Sequence, residues 1–156
     1  MPSPRARSEQ VDSTAEALVS VLPVLNRVLE RQVALDFPHP GLPEGQLALL
    51  RLVEEHVGIT VREAAEVLLM KPNNVSALVS QLTEKGLLER RQDADDKRVA
   101  HLHPTPLAAS RLAEARAIKT AHLTRLLATL TDGEQDALGS ALGALNSLAR
   151  RPHSAG

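Results

Sequence analysis

Between Pro72 and Glu84 the chain reads PNNVSALVSQLTE, where Asn73, Asn74, Ser76, Ser80 and Gln81 interleave with apolar Val75, Leu78, Val79 and Leu82. At helical spacing this pattern buries one face and leaves another rich in amide and hydroxyl groups. Such groups match the base edges of a DNA major groove, where an amide held bidentate to adenine gives about 1–3 kcal/mol of discrimination. Asn73, Asn74 and Gln81 are therefore the first candidates for base readout, with Ser76 and Ser80 beside them. The two asparagines could instead cap the first helical turn. A second cluster surrounds the polar run QDADDK at 92–97, namely Arg90, Arg91, Asp96, Lys97 and Arg98, and Lys71 stands just before Pro72. Guanidinium groups are drawn to the negative potential of narrow minor grooves, which makes Arg98 the candidate there, with Asp96 placed to orient it. Arg90, Arg91, Lys97 and Lys71 suit phosphate contacts, which set register without reading sequence. Asp93 and Asp95 read as turn chemistry on a solvated loop.

The elements around these residues can be read from local signals. Thr60 followed by Glu63 forms a capping-box pattern, and Val61, Ala64, Ala65 and Leu68 then share a helical face. Pro72 suits the first position of the next helix, and Gly86 stands where that helix ends. Leu87–Arg91 and Val99–His103 have strand length, with the polar run between them as a hairpin tip. Upstream, Pro43 opens a helix whose buried face is Leu47, Leu49, Leu50 and Val53. The order helix, turn, helix, hairpin over residues 43–103 predicts a winged helix-turn-helix, a mainly α fold with a small β-hairpin wing. In that fold the 72–84 helix enters the major groove and the 92–98 wing the minor groove, and a two-fold dimer sets its recognition helices about 34 Å apart on a pseudo-palindrome.

The flanks are helical. Val11, Ala15, Leu18, Leu22, Leu25 and Leu29 step by four and three along residues 11–35, and Pro23 predicts a kink there or a helix beginning near Leu22. FPHPGLP, residues 37–43, is a connection. Thr105–Pro106 caps a helix with a stripe from Leu112 to Leu130, and Thr131 with Glu134 repeats the capping box before Leu138, Ala141, Leu142, Leu145 and Leu148. The seams of 11–35 and 105–150 either fold back as a bundle or pair across a two-fold axis. The homodimer is the preferred reading, because a small module projecting from such helices is hard to close into one core. The 156 residues then form one domain, with 1–10 and 151–156 expected to be disordered.

Composition narrows the classes. There is no cysteine, which excludes disulfides, thiol redox sensing and cysteine-ligated zinc, and no cofactor is expected. His101 and His103 share a strand face, but two imidazoles without a third ligand make no metal site. Neither a signal-like run nor a bilayer-length apolar stretch is present, which predicts a cytoplasmic, nucleoid-associated protein that makes no membrane contact. Aromatics at 1% remove the stacking platforms of single-strand binders, so double-stranded DNA is the expected nucleic acid. A net charge of −1, with seven basic and seven acidic residues between Thr60 and His103, means that DNA affinity must come from placement. No paired carboxylates in an apolar setting, nucleophile elbow or phosphate loop appears, and Ser76 and Ser80 lack a base, so an enzyme is not expected.

From about residue 12 to 150 the chain resembles the multiple antibiotic resistance regulator (MarR) family of bacterial transcription factors. The wing carries the most specific match, Asp96–Lys97–Arg98 followed by Leu102 and Thr105, supported by LTEKGLLERR after the recognition helix and LTDGEQDAL before the last one. It departs from the family pattern in Lys71 at the helix cap, Ala77 where relatives often carry arginine, and Ala108 in place of a glycine. The resemblance implies a homodimeric transcriptional regulator, a repressor released when a small, often aromatic or anionic, effector enters the crevice between dimer helices and winged module. Arg31, His39, His56 and His122 are the polar groups assigned to that crevice, though each also reads as an ordinary surface or satisfied side chain. The competing class is a winged-helix protein-interaction or dimerisation module without specific DNA binding, motivated by the neutral charge and the Lys71 cap.

Overall fold

A computed structural model describes residues 1 and 3–151, so the tail expected at 151–156 lies, beyond Arg151, outside the described residues. The chain runs α1 (Pro4–Asp36), α2 (Glu44–Glu55), α3 (Val61–Leu68), α4 (Pro72–Glu84), β1 (Leu88–Gln92), β2 (Ala100–Pro104), α5 (Pro106–Leu127) and α6 (Asp132–Arg150). Helix starts follow the local chemistry. Thr60 accepts from the Glu63 amide while the Glu63 carboxylate returns to the Thr60 amide, and Thr131 with Glu134 does the same. Thr105 accepts from the Ala108 amide with Pro106 in the first turn, whereas Lys71 begins α4 without any side-chain cap.

Two readings of the N-terminal segment are corrected, a disordered stretch over residues 4–10 and a helix that begins only near Leu22. Residues 4–10 are helical, because Ser3 accepts from the Ala6 amide at 3.3 Å and Pro4 sits in the first turn, where its missing N–H leaves nothing unpaired. The helix also continues through Pro23. Its lost bond falls on Val19, which is 74% exposed, so water is at hand for that turn.

The core belongs to the winged module. Leu49, Leu50 and Val53 of α2 meet Ala64 and Ala65 of α3, Val75, Val79 and Leu82 of α4, and Leu87, Leu88 and Leu102 of the hairpin. Ala108 and Leu112 bring α5 onto the same core, and Leu47, Val61, Leu68 and Leu78 pack at its margin. Two backbone reversals close the module. Gly86, at φ +72°, ends α4, and Leu69, at φ +53°, ends α3 in the left-handed region, which disfavours a side chain by about 1–2 kcal/mol. The Leu87 amide is taken by the Leu82 carbonyl, so the antiparallel pairing starts one residue later than the sequence pattern suggests, from Leu88↔Pro104 to Gln92↔Ala100. By contrast no residue of α1 or α6 is fully buried. Val11, Leu22 and Leu25 on α1 and Leu138, Leu142 and Leu148 on α6 remain exposed.

Candidate nucleic-acid interface

With Val75, Val79 and Leu82 buried, the 100° step of the helix turns Asn73, Ala77, Ser80 and Glu84 to the opposite side of α4. Asn74 and Gln81 flank that side on one edge and Ser76 on the other. Asn73, Asn74, Ser80 and Gln81 are exposed and Ser76 is half-buried. Among the described residues neither asparagine side chain makes an intramolecular hydrogen bond, so both keep their amides for an outside partner and neither supplies the missing cap.

Gln81 is different. Lys85 Nζ, which can only donate, lies 2.7 Å from Gln46 Oε1, and this fixes the orientation of the Gln46 amide. Gln46 Nε2 then donates to Gln81 Oε1 at 2.9 Å. One of the two lone pairs of the Gln81 carbonyl oxygen is engaged, while its NH2 is free. A bidentate bond to adenine needs both ends, so the bond to Gln46 orients the Gln81 amide and competes with adenine for its oxygen. Gln46 is 6% exposed, the one buried polar residue of the described core, and the sequence reading passed over it. Its signal was its spacing, three residues before Leu49 on the apolar stripe of α2.

The serines are tied to the hairpin. Ser80 Oγ donates to the Ser76 carbonyl at 3.1 Å and accepts from Arg90 Nη2 at 3.2 Å, so Arg90 fastens β1 to α4 besides offering charge at the surface. Arg91 Nε donates to Glu89 Oε1 at 3.1 Å, which halves its availability to phosphate. Lys71 and Lys97 are exposed and unpaired among the described residues.

At the wing, Asp96 Oδ1 accepts from the Arg98 amide at 3.0 Å and from its Nε at 3.1 Å, and Oδ2 accepts from Nη2 at 3.3 Å. These bonds hold the Asp96 carboxyl below its usual range, and the Arg98 side chain still stands 91% exposed. Asp93 does more than shape a turn. It accepts from the Asp95 amide at 2.9 Å, the Asp96 amide at 3.2 Å and His101 Nε2 at 2.8 Å, and the imidazole bond leads in lowering its carboxyl to about 2. His101 Nδ1 meets the Gly58 carbonyl at 2.7 Å. Among the described residues no group of three or more histidine or carboxylate side chains could hold a metal ion.

A cavity of about 300 Å³ lies where the end of α1 and the following loop meet α2 and α5. Val33, Phe37, Leu42 and Leu112 give it an apolar body, and Glu30, His39, Arg51 and Arg111 give it polar edges. Arg111 Nε is buried without a partner. Arg51 Nη2 shares Glu30 Oε1 with Lys119, at 3.1 Å for the arginine. Burial pushes the Glu30 carboxyl up, but the hydrogen bonds and charges of Lys119 and Arg51 prevail and hold it below its usual value. His39, bonded to Glu114 at 2.8 Å, is on this wall, whereas Arg31, His56 and His122 do not line this cavity. Arg31 is exposed on α1, His56 ends α2, and His122 lies beside Arg125 on α5. The sequence reading missed Arg51 and Arg111, each next in sequence to a buried leucine and thus at the edge of an apolar stripe.

Residues 41–99 match the model of the MarR family. Over 94 residues the chain is 31% identical to the HTH-type transcriptional repressor MdtR of Bacillus subtilis, a match that spans 60% of this chain and 61% of that protein, less than two thirds of its length. A MarR family protein from Bacillus stearothermophilus has the same fold at a TM-score of 0.72 and 16% identity, covering 92% of this chain and 98% of the other. A point mutant of S. aureus MepR bound to an oligodeoxyribonucleotide superposes at 0.62 and 19% identity, covering 88% and 98%. None of the described helices is long and apolar enough to cross a membrane.

Proposed function

We propose that this chain is a homodimeric DNA-binding transcriptional regulator of the MarR family and not an enzyme, a reading supported by the match of residues 41–99 to the MarR family model. It reads a pseudo-palindromic operator with α4 in the major groove and the 92–98 wing in the minor groove, works in the cytoplasm at the nucleoid, and represses until a small effector releases it. The observation that carries this reading is the exposed, hydrogen-bond-free pair Asn73 and Asn74 on α4, beside a wing tip that holds Arg98 out at 91% exposure. The repressor activity of the B. subtilis relative and the oligodeoxyribonucleotide held by the S. aureus neighbour support the same direction.

The dimer is proposed from the terminal helices. A helix that fully buries none of its residues while exposing Leu138, Leu142 and Leu148 gains little from this chain's own core, and a second copy supplies the missing face. Effector capture is proposed for the cavity bounded by α1, α2 and α5: an apolar body with a carboxylate would satisfy the unpartnered Arg111 Nε and compete with Glu30 for Arg51. Release follows if the effector binds the DNA-incompetent arrangement more tightly than the competent one.

The test is binding of the purified protein to the DNA upstream of its own coding region at two salt concentrations, with unrelated duplex as competitor. A specific regulator gives a complex that survives the competitor and weakens steeply with salt. Failure there and in a random-sequence selection would instead support a winged-helix interaction module without specific DNA binding.

A further inference from the structure

We propose that His101 and Asp93 are a positioning pair that holds the wing tip, and with it Arg98, against the winged module only while the His101 imidazole is protonated. The inference rests on the DNA-binding reading for its consequence, though its structural half stands apart from it.

Both imidazole nitrogens face acceptors. Nδ1 meets the Gly58 carbonyl at 2.7 Å, a group that can only accept, and Nε2 meets Asp93 Oδ2 at 2.8 Å. Asp93 is ionised at any neutral pH, since its carboxyl is held at about 2. A neutral imidazole carries one N–H and would set its other lone pair against an oxygen. Only the imidazolium donates to both.

These two bonds add a side-chain link between the Gly58 segment and the wing, each of which is joined by backbone bonds to β2 but, among the described residues, not to the other. Gly58 lies in the connection between α2 and α3, where its amide donates to the Leu102 carbonyl at 2.8 Å and the Leu102 amide donates to the Ile59 carbonyl at 2.8 Å. That edge is continuous with the core through Leu102, which is fully buried. The wing loop has no such burial: the Asp93 amide donates to the Val99 carbonyl at 2.9 Å and the Val99 amide to the Asp96 carbonyl at 3.0 Å, and the Asp93 carboxylate adds the Asp95 and Asp96 amides. Asp96 in turn orients Arg98 through its amide and its guanidinium. The path from core to minor-groove arginine thus runs Gly58, His101, Asp93, Asp96, Arg98.

The surroundings favour the charged ring. Asp93 faces it from the wing, and Glu63 faces it from α3 while capping the Thr60 amide. Its cross-strand neighbour on β1 is Arg91, whose guanidinium is turned to Glu89. The bond to Asp93, then the one to Gly58, raises the His101 value above 6.5 against a smaller opposing effect of desolvation. Since the anchored state has the raised value, the anchor is complete below pH 6.5 and is lost as pH rises through the raised one. The wing is tightest on the acidic side of neutrality and loosens on alkalinisation.

The full-length protein tests this without DNA first. In an NMR titration from about pH 5.5 to 9, a range that brackets the ordinary histidine value, the His101 ring nitrogens and the Asp95 and Asp96 amides should share one midpoint, and Asp93→Asn should lower that midpoint and uncouple the amides. Operator affinity should then fall by roughly threefold to tenfold over the same range, the net contribution of one ordinary hydrogen bond. His101→Gln, checked for unchanged thermal unfolding, should bind at acidic pH as weakly as the parent does at alkaline pH, with a flat profile. Wing amides that ignore the His101 titration overturn the anchor. An anchor that titrates while operator affinity keeps the same pH profile in His101→Gln overturns the positioning role. If no operator exists, the DNA reading fails and the amide titration still decides the anchor.

Discussion

Leu142→Ala on α6 measures the dimer directly. In the single chain α6 buries no residue, and Leu142 is 57% exposed, so truncating it removes little from the monomer's own core. Burying a whole leucine side chain is worth about 2 kcal/mol, and rather more than half of this one remains to be buried, which gives about 1 kcal/mol per copy. Two-fold symmetry counts the loss twice, for about 2 kcal/mol, or a roughly 30-fold rise in the dimer dissociation constant. Sedimentation equilibrium over a dilution series reads this constant, and circular dichroism checks that helix content is kept. Val67→Ala is the control: Val67 is 60% exposed on α3, away from the proposed interface, and its truncation should leave the constant unchanged. A Leu142→Ala protein that associates as tightly as the parent, or a parent that is monomeric throughout, would refute α6 as a dimer face.

Four other outcomes are expected. Arg98→Ala should abolish tight operator binding and reduce the logarithmic salt slope by about one while leaving the dimer intact, and unchanged affinity in a salt-matched titration would remove Arg98 from the interface. Gln46→Leu should shift the thermal midpoint by no more than about 3 °C, because its two partners are exposed and can hydrate. The same change removes the competing bond to the Gln81 oxygen, so a random-sequence selection should gain adenine preference at one position per half-site of up to about 10-fold, and an identical selected motif would sink the competition of Gln46 with adenine for Gln81. Arg111→Leu should abolish any rise in thermal midpoint that benzoate produces in the parent, and an equal rise in both would move effector capture elsewhere. Glu63 and Glu134 are lowered from 4.5, first by backbone amide bonds, and Asp93 from 3.8, so their contribution is present above those values and lost as pH falls below them. Thermal midpoints should therefore drop below pH 4.5, and less steeply in Thr131→Ala.

The elements were legible because their signals are local. A capping box is a reciprocal bond between residues three apart, so Thr60 with Glu63 and Thr131 with Glu134 mark helix starts before any fold is known. The apolar periods of α2, α3 and α4 named most of the core for the same reason, although Leu52 and Leu87 lie off those stripes. Local signals failed where the surroundings decide. Pro23 costs a bond in any helix, but whether the helix yields depends on what lies around the freed turn. The motif at Asp96 and Arg98 could be read two residues apart, and their geometry agrees with that spacing.

The sequence by itself determined the order of elements, the buried faces and the family resemblance, since each depends on spacings of a few residues. The tertiary structure alone decided which polar groups are still free to act. Gln46 reaches Gln81 across 35 residues and Lys85 across 39, His101 reaches Gly58 across 43, and Arg111 enters a cavity whose other walls are α1 and α2. A hydrogen bond is fixed by distance in space within a few tenths of an ångström, and separation along the chain carries no record of that distance until the core has brought the helices together.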